Sequence, residues 1–342
     1  MPDFVPQFND DSGDFPPEVA PRCPLFGLCG GCQCQHLSYA HQLELKQQQL
    51  RGIYAAAGID VDPLPAVASP LEYGYRTKLT PHYSPLRRDP SFPIGFLQAG
   101  RCRIIDVTSC PIATDAINAI LPKIREETFA KKETFKKDGT LHLREDSSHN
   151  VLTDPRAICM QEINGIHYEF IVGEFFQVNL SILPILVERV MRLLGETKFV
   201  IDAYCGVGFF ALQAAKHCQA VAGVEVSAVS VKLAQKNATI NDITNATFLA
   251  AKAEAIFKEI KFPPEQTTVI IDPPRAGASE DFLRQLIALK PARVIYVACD
   301  PSTQARDVRI LIENGFKLKT LQAFDLFPQT KHIESLAILE RR

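Results

Sequence analysis

From residue 199 to the C-terminus, short apolar runs rich in β-branched residues alternate with stretches of helical periodicity. FVIDAY (199–204), AVAGVEV (220–226), ATFLAA (246–251), TTVIID (267–272), ARVIYVA (292–298) and FKLKTLQAF (316–324) read as strands, most of them separated by a helical stretch. Few folds accommodate this alternation. Successive parallel strands need crossover helices, so the expected fold is an α/β parallel sheet with helices on both faces. Ligands of such sheets bind beyond the carboxyl ends of the strands. The short motifs that carry chemistry fall at such ends.

The first half of the chain has a different character. Residues 39–57 carry Leu43, Leu50, Tyr54 and Ala57 near one helical face, with Gly58 as the stop. Residues 112–126 also read as a helix, and KKETFKK (131–137) as a charged connection. Short β-like pieces occupy 73–107 and 139–171, with Asn164-Gly165 as a hairpin turn. The 342 residues, 46% of them hydrophobic, suffice for two or three domains with a sizeable core. We divide them into an acidic, proline-rich lead-in (1–22) read as disordered, a cysteine loop with a helix (23–70), a small β-rich part (71–172) and the sheet domain (173–342).

The formal charge of −2 excludes a globally basic surface, so nucleic-acid contact would need a local patch. No apolar run is long enough to span a membrane, and the N-terminus lacks a secretion signal, so the chain reads as cytoplasmic with no membrane partner. Ten cysteines in that setting point to metal or catalysis rather than disulfides. CPLFGLCGGCQCQH holds Cys23, Cys29, Cys32 and Cys34, with glycines that let the loop fold round a metal or cluster. The fourth ligand is either the local Cys34 or a distant thiol, and Cys110 in SCPI stands out. Thiolates without a close His pair suit an iron–sulfur cluster or zinc, and His36 leaves a Cys3His zinc site open.

In DAYCGVG (202–208), Gly206 and Gly208 allow close approach of backbone to a ligand, but the third glycine of a dinucleotide fingerprint is missing. Glu225, ending the next strand, could take both hydroxyls of a ribose. The pair fits an adenosine-type ligand and also fits ordinary strand–turn–helix packing. DPPR (272–275) gives the fourth strand, TTVIID, a rigid exit. Cys299 ends the strand VIYVA beside Asp300-Pro301, and Glu334 and His332 stand near the start of a last strand. A cysteine nucleophile with a separate carboxylate base suits substitution at C5 of a pyrimidine. A thiolate adding to C6 makes C5 enolate-like, and a base must later remove the C5 proton so that sulfur can depart. Arg306 and Lys331 are the candidate cations favouring the thiolate.

Together CPLFGLCGGCQCQH, SCPI, GEFFQVN, DAYCGVG, VEVS, DPPRAG, YVACDPSTQARD and FPQTKHIES resemble, in order and across residues 23–335, the S-adenosylmethionine-dependent RNA uracil-5-methyltransferases of ribosomal RNA and the transfer-RNA T-loop. The resemblance implies a Rossmann-like class I methyltransferase sheet beside an N-terminal iron–sulfur loop. It implies a 4Fe–4S cluster on Cys23, Cys29, Cys32 and Cys110, with Cys299 as nucleophile and Glu334 as base. S-Adenosylmethionine contacts would come from Gln177, Tyr204, Gly206, Glu225 and Asp272. Ribosomal RNA is the expected substrate and transfer RNA the alternative; cytosine C5 is the weaker target. An inactive iron–sulfur RNA-binding protein is the alternative of another class, motivated by Phe209 where Asn is usual and Lys252 where an acid is usual. Asp300 likewise replaces a common Asn. The RNA-binding barrel that many members carry is expected to be absent, since 22 residues precede Cys23. RNA contact then falls to 71–110, where Arg76, Lys78, Arg87, Arg88, Arg101 and Arg103 interleave with Tyr73, Tyr75, Tyr83 and Phe96. A monomer is the default.

Overall fold

A computed structural model describes residues 16–341; residues 1–15 of the expected lead-in lie outside the described residues. Residues 16–22 do not hang free of the body: Glu18 accepts the Ser38 N–H (3.0 Å) and pairs with His41 (2.5 Å). The centre is an eight-stranded sheet of β1 (Leu64–Val67), β2 (Phe199–Ala203), β3 (Ala220–Glu225), β4 (Ala246–Ala250), β5 (Thr267–Ile271), β6 (Arg293–Ala298), β7 (Phe316–Phe324) and β8 (Glu334–Arg341). Their spatial order is β1-β7-β8-β6-β5-β2-β3-β4.

The sheet is mixed rather than all parallel. β8 lies between β6 and β7 and runs antiparallel to both, while the other neighbours pair in parallel. Sequence alternation cannot show this reversal, because the β7–β8 connection contains no crossover helix and a short one permits antiparallel return.

The helices are α1 (Tyr39–Ala56), α2 (Asp115–Ala130), α3 (Leu183–Leu194), α4 (Phe209–Ala215), α5 (Ala228–Ile240), α6 (Glu280–Leu289) and α7 (Pro301–Glu313). All but α2 pack on the sheet and cover both its faces, which explains why the central strands are buried throughout instead of alternating. In β5, Val269 and Ile271 face a core containing Leu50, Phe282, Leu286 and Leu311 of α1, α6 and α7. Ile270 faces the opposite core, with Leu186, Val190, Phe210 and Leu212 of α3 and α4. Among the described residues, no helix is long and apolar enough to cross a membrane.

Sequence order hides one join. Residues 23–70 read as a cysteine segment of their own, yet β1 pairs in parallel with β7 and α1 buries Leu50, Ile53 and Tyr54 against the sheet. Gly58 follows α1 with φ 75°, the left-handed conformation that glycine adopts without a Cβ penalty. The β-rich part holds a three-stranded and a four-stranded sheet, with Ile117 and Leu121 of α2 buried beside Leu79 and Leu143. The Ile158–Ile163/Ile166–Ile171 hairpin turns at Asn164 (φ 51°) and Gly165 (φ 69°) and lays Tyr168 and Phe170 on the α3–α4 core. These paired positive φ values are what a two-residue I′ turn needs.

The join is locked by a buried ion pair. Lys46 Nζ of α1 meets Asp325 Oδ1 just after β7 at 2.6 Å, with both side chains 1% exposed, and also donates to the Phe327 carbonyl (3.1 Å). Removing one partner strands the other charge away from water. Lys46→Met is expected to lower unfolding free energy by about 3 kcal/mol, read as an earlier urea midpoint. Lys46→Met with Asp325→Leu should recover most of that loss.

Candidate active site

The carboxyl ends of the parallel strands and the amino end of β8 share one edge, because β8 runs backwards between its neighbours. Its register pairs Ala298 of β6 with Ser335. One step further along the same register sets Cys299 across from Glu334. A hydrogen-bond network fixes this seam. Gln304 Nε2 donates to the carbonyls of Tyr296 (2.8 Å) and Ser335 (3.3 Å), and Gln304 Oε1 accepts from Ser335 Oγ (2.7 Å) and Tyr54 OH (2.8 Å). Asp300 caps α7 by accepting the Ser302 N–H (3.0 Å), which sets the exit of the chain after Cys299.

The Cys299 thiol is half-buried and pushed up to about 11, by burial first, then by the negative charges of Glu334 and Asp272, against the opposing Arg275. Glu334 is 3% exposed and held well above the usual carboxylate range by burial, then by Asp272, again opposed by Arg275. Asp272, which keeps part of its surface exposed, is pushed up to about 7 by desolvation. One thiol and two carboxyls thus crowd a site with one guanidinium acting on both the thiol and Glu334. That cation is Arg275, the last residue of DPPR, which sequence reasoning passed over. Arg306 is engaged elsewhere, pairing with Asp307 (2.7 Å) and donating to the carbonyls of Ala276 and Ala278. Lys331 acts on Cys34 and His332.

The glycine turn after β2 holds three left-handed residues, Tyr204 (φ 65°), Gly206 (φ 54°) and Gly208 (φ 89°). The two glycines serve different ends. A Cβ on Gly206 would meet nothing within 4 Å, so its backbone faces open space, whereas one on Gly208 would press on Leu212 at 3.2 Å. Glu225 accepts the N–H groups of Gly206 (3.2 Å) and Ser227 (2.9 Å), which orients its carboxylate at the mouth of the turn. Asp202 accepts the Ala211 N–H (2.7 Å) and thereby ties α4 to β2. Gln177 is buried and follows Phe176, whose ring meets Phe209 at the start of α4 edge-on at 6.0 Å. Its carbonyl accepts from Arg144 Nη2 (2.8 Å), a fully buried guanidinium that also faces the Phe170 ring at 4.7 Å. Phe209 is a core residue in this aromatic group, and Lys252 is exposed.

Cys23, Cys29, Cys32 and Cys110 line one cavity of about 270 Å³, to which Arg76, His82, Phe96, Phe327, Thr330 and His332 also contribute. Asn118 of α2 holds Cys110 from both sides, accepting its N–H (2.9 Å) and donating to its carbonyl (3.0 Å). The other two candidate ligands lie outside this cavity. The Cys34 thiol is 1% exposed and lies in the field of Lys46, Asp325 and Lys331, and His36 packs on Phe26 at 5.4 Å; neither lines the cavity. Among the described residues, no three His, Cys, Asp or Glu side chains converge as ligands of a single metal ion.

Of the four aromatic residues expected to stack on RNA, Tyr75 is buried and Tyr73, Tyr83 and Phe96 are half-buried. Tyr75 donates its hydroxyl to the Pro328 carbonyl (3.0 Å), Tyr83 packs on Phe135 at 4.5 Å, and Phe96 lines the cysteine cavity. Tyr73 carries the Arg22 guanidinium at 4.3 Å.

Residues 157–342 match the family described as tRNA (Uracil-5-)-methyltransferase. The tRNA (uracil(54)-C(5))-methyltransferase of Schizosaccharomyces pombe is 41% identical over 94% of this chain and 65% of its own length. The 23S rRNA (uracil(1939)-C(5))-methyltransferase of Vibrio parahaemolyticus is 33% identical over 94% of this chain and 82% of its own. The chain belongs to the RNA uracil-5-methyltransferase family. It spans just under two thirds of the length of its fission-yeast relative. The crystal structure of Pyrococcus abyssi tRNA (uracil-54, C5)-methyltransferase in complex with S-adenosyl-L-homocysteine superposes with TM-score 0.72 at 27% identity, covering 91% of this chain and 86% of that one. The mixed eight-stranded sheet is therefore the class I methyltransferase sheet expected from the motifs, with the small β sheets attached.

The crowding of acids has a consequence for stability. An unfolded Asp ionises near pH 4. Folded Asp272 keeps its proton to about 7. Between these values the folded state binds more protons, so this group's contribution falls as pH rises. Asp272→Asn should melt above the parent at pH 8, with the difference shrinking toward pH 4, as scanning calorimetry can measure.

Proposed function

We propose that this chain methylates carbon 5 of a uridine in RNA, with S-adenosylmethionine as donor. The observation that carries this reading is that Cys299 follows β6 and Glu334 opens β8, each next to the paired Ala298 and Ser335, with the Glu334 charge acting on the Cys299 thiol. The Cys299 thiolate adds to C6 of the uracil, which makes C5 nucleophilic. C5 takes up the methyl group as the donor's S–CH3 bond breaks and S-adenosylhomocysteine is left, and the Glu334 carboxylate removes the C5 proton. The C5–H electron pair restores the C5–C6 double bond, the C6–S bond breaks, and the thiolate leaves. Arg275 is the cation that favours both the thiolate and the Glu334 carboxylate.

S-Adenosylmethionine supplies the methyl group as a sulfonium electrophile. The open space at Gly206 and the pre-oriented Glu225 carboxylate suit its nucleoside, with Tyr204, Gln177 and Asp272 as further contacts. We assign transfer RNA as the substrate, with the T-loop uridine 54 as target, in place of the ribosomal RNA expected from sequence. The support is the 41% identity to a tRNA enzyme against 33% to a 23S rRNA enzyme. With unmodified tRNA, the parent should form 5-methyluridine at position 54 by nucleoside mass spectrometry. Cys299→Ala should lose activity by at least ~1,000-fold, and Glu334→Gln should accumulate a covalent RNA adduct on denaturing gels. Methylation of 23S rRNA alone would reverse the substrate assignment, and an active Cys299→Ala would remove the mechanism.

Cys23, Cys29, Cys32 and Cys110 fit an iron–sulfur cluster better than zinc. They line one cavity together, and a set of thiolates with no close pair of histidines in the loop suits a cluster. Anaerobically purified protein is expected to be brown, with iron and sulfide in equal amounts, and Cys110→Ser to lose the colour. Stoichiometric zinc in colourless protein would contradict the assignment.

A further inference from the structure

The turn leading into Glu334 is held from the opposite end of the chain. It follows β7, and Gln329 lies within it at φ 69°. A left-handed backbone is uncommon for a residue with a side chain and persists only where its surroundings over-determine it. Here the surroundings are the cysteine loop and α1. The Gln329 N–H donates to Gln42 Oε1 (3.0 Å), and Gln329 Oε1 accepts from Gln42 Nε2 (3.1 Å). The Gln329 carbonyl accepts the N–H groups of both Gln33 and Cys34 (3.0 Å each). The Lys331 N–H donates to Gln33 Oε1 (3.3 Å). Gln42 is 1% exposed, and its Nε2 also reaches the carbonyls of Cys34 and Leu37 (3.1 Å each). Inside the turn, Thr330 Oγ1 donates to the Phe327 carbonyl (2.8 Å) and accepts the His332 N–H (3.3 Å), so displacement of Gln329 is passed along toward Glu334.

We propose that Gln42, assisted by Gln33, is a positioning residue for the proton-removal step. The amide pair Gln42–Gln329 fixes the turn, and the turn aims the Glu334 carboxyl at the C5 proton. This inference rests on Glu334 being the base. It separates two halves of the reaction, because Cys299 has its own supports on the other side of the seam: the Asp300 cap and the Gln304 bonds to Tyr296. Loosening the turn therefore leaves addition and methyl uptake in place and slows the step in which Glu334 takes the proton, the C5–C6 double bond re-forms and sulfur departs.

The test uses the full chain, labelled S-adenosylmethionine and unmodified tRNA, with Gln42→Ala, the milder Gln33→Ala and Glu334→Gln measured together. Gln42→Ala should keep first-turnover methyl incorporation within about threefold of the parent while steady-state turnover falls ~10- to 100-fold. The covalent RNA adduct should accumulate on denaturing gels. Gln33→Ala should show the same signature at smaller amplitude, and it carries the test if Gln42→Ala does not fold. A merely structural role would lower incorporation and turnover together without adduct, and that result overturns the proposal. Unchanged kinetics in both glutamine variants also overturns it. If Glu334→Gln itself traps no adduct, the base assignment fails and takes the proposal with it. If Glu334→Gln traps adduct and neither glutamine variant does, only the positioning role is lost.

Discussion

The antiparallel insertion of β8 between β6 and β7 is the constraint on which the site depends. In an all-parallel sheet the first residue of a strand lies at the edge remote from the ligand. Reversing one strand brings its first residue, Glu334, to the edge where β6 delivers Cys299. The register is strictly set, because a one-residue slip would turn Leu336 to Leu339, all buried, onto the wrong faces. Packing across the whole sheet thus keeps the end of β6 beside the start of β8. The Gln304 network adds a local lock at the same seam.

The electrostatics follow from placing several acids in a partly dry site. Asp202, Asp272, Glu334 and the Cys299 thiol all lie above their ordinary values, and burial is the first cause in each. Arg275 works against this for the thiol and for Glu334. Burial favours the protonated forms, and under the proposed mechanism Arg275 is the group that favours the thiolate and the carboxylate the steps require.

Much of the sheet was legible because hydrophobic runs and turn residues are local signals. FVIDAY, AVAGVEV and TTVIID announced buried strands, and Asn164-Gly165 announced its hairpin. What stayed hidden was non-local. Nothing in LPAV tells that it pairs with a strand some 250 residues later, and nothing near Lys46 names Asp325 as its partner. Spacing alone could not choose between Cys34 and Cys110; the choice depends on which way each thiol points once the loop meets the β-rich part. Arg275 was visible in DPPR but was read as part of a rigid turn, since the distance to Cys299 is set by adjacent strands. Composition alone does not show which of the interleaved rings of 71–110 are buried: Tyr75 is, whereas Tyr73, Tyr83 and Phe96 keep part of their surface exposed.

The central claim is that sulfur of Cys299 bonds to the uracil ring. Its most direct test is a T-loop RNA carrying 5-fluorouridine at the target position, incubated with S-adenosylmethionine and the full chain. Fluorine at C5 leaves no proton to abstract, so the reaction should halt after methyl uptake. The account predicts a stable protein–RNA adduct of roughly 1:1 stoichiometry that peptide mass spectrometry maps to Cys299. Absence of adduct, or an adduct on any other residue, would contradict it.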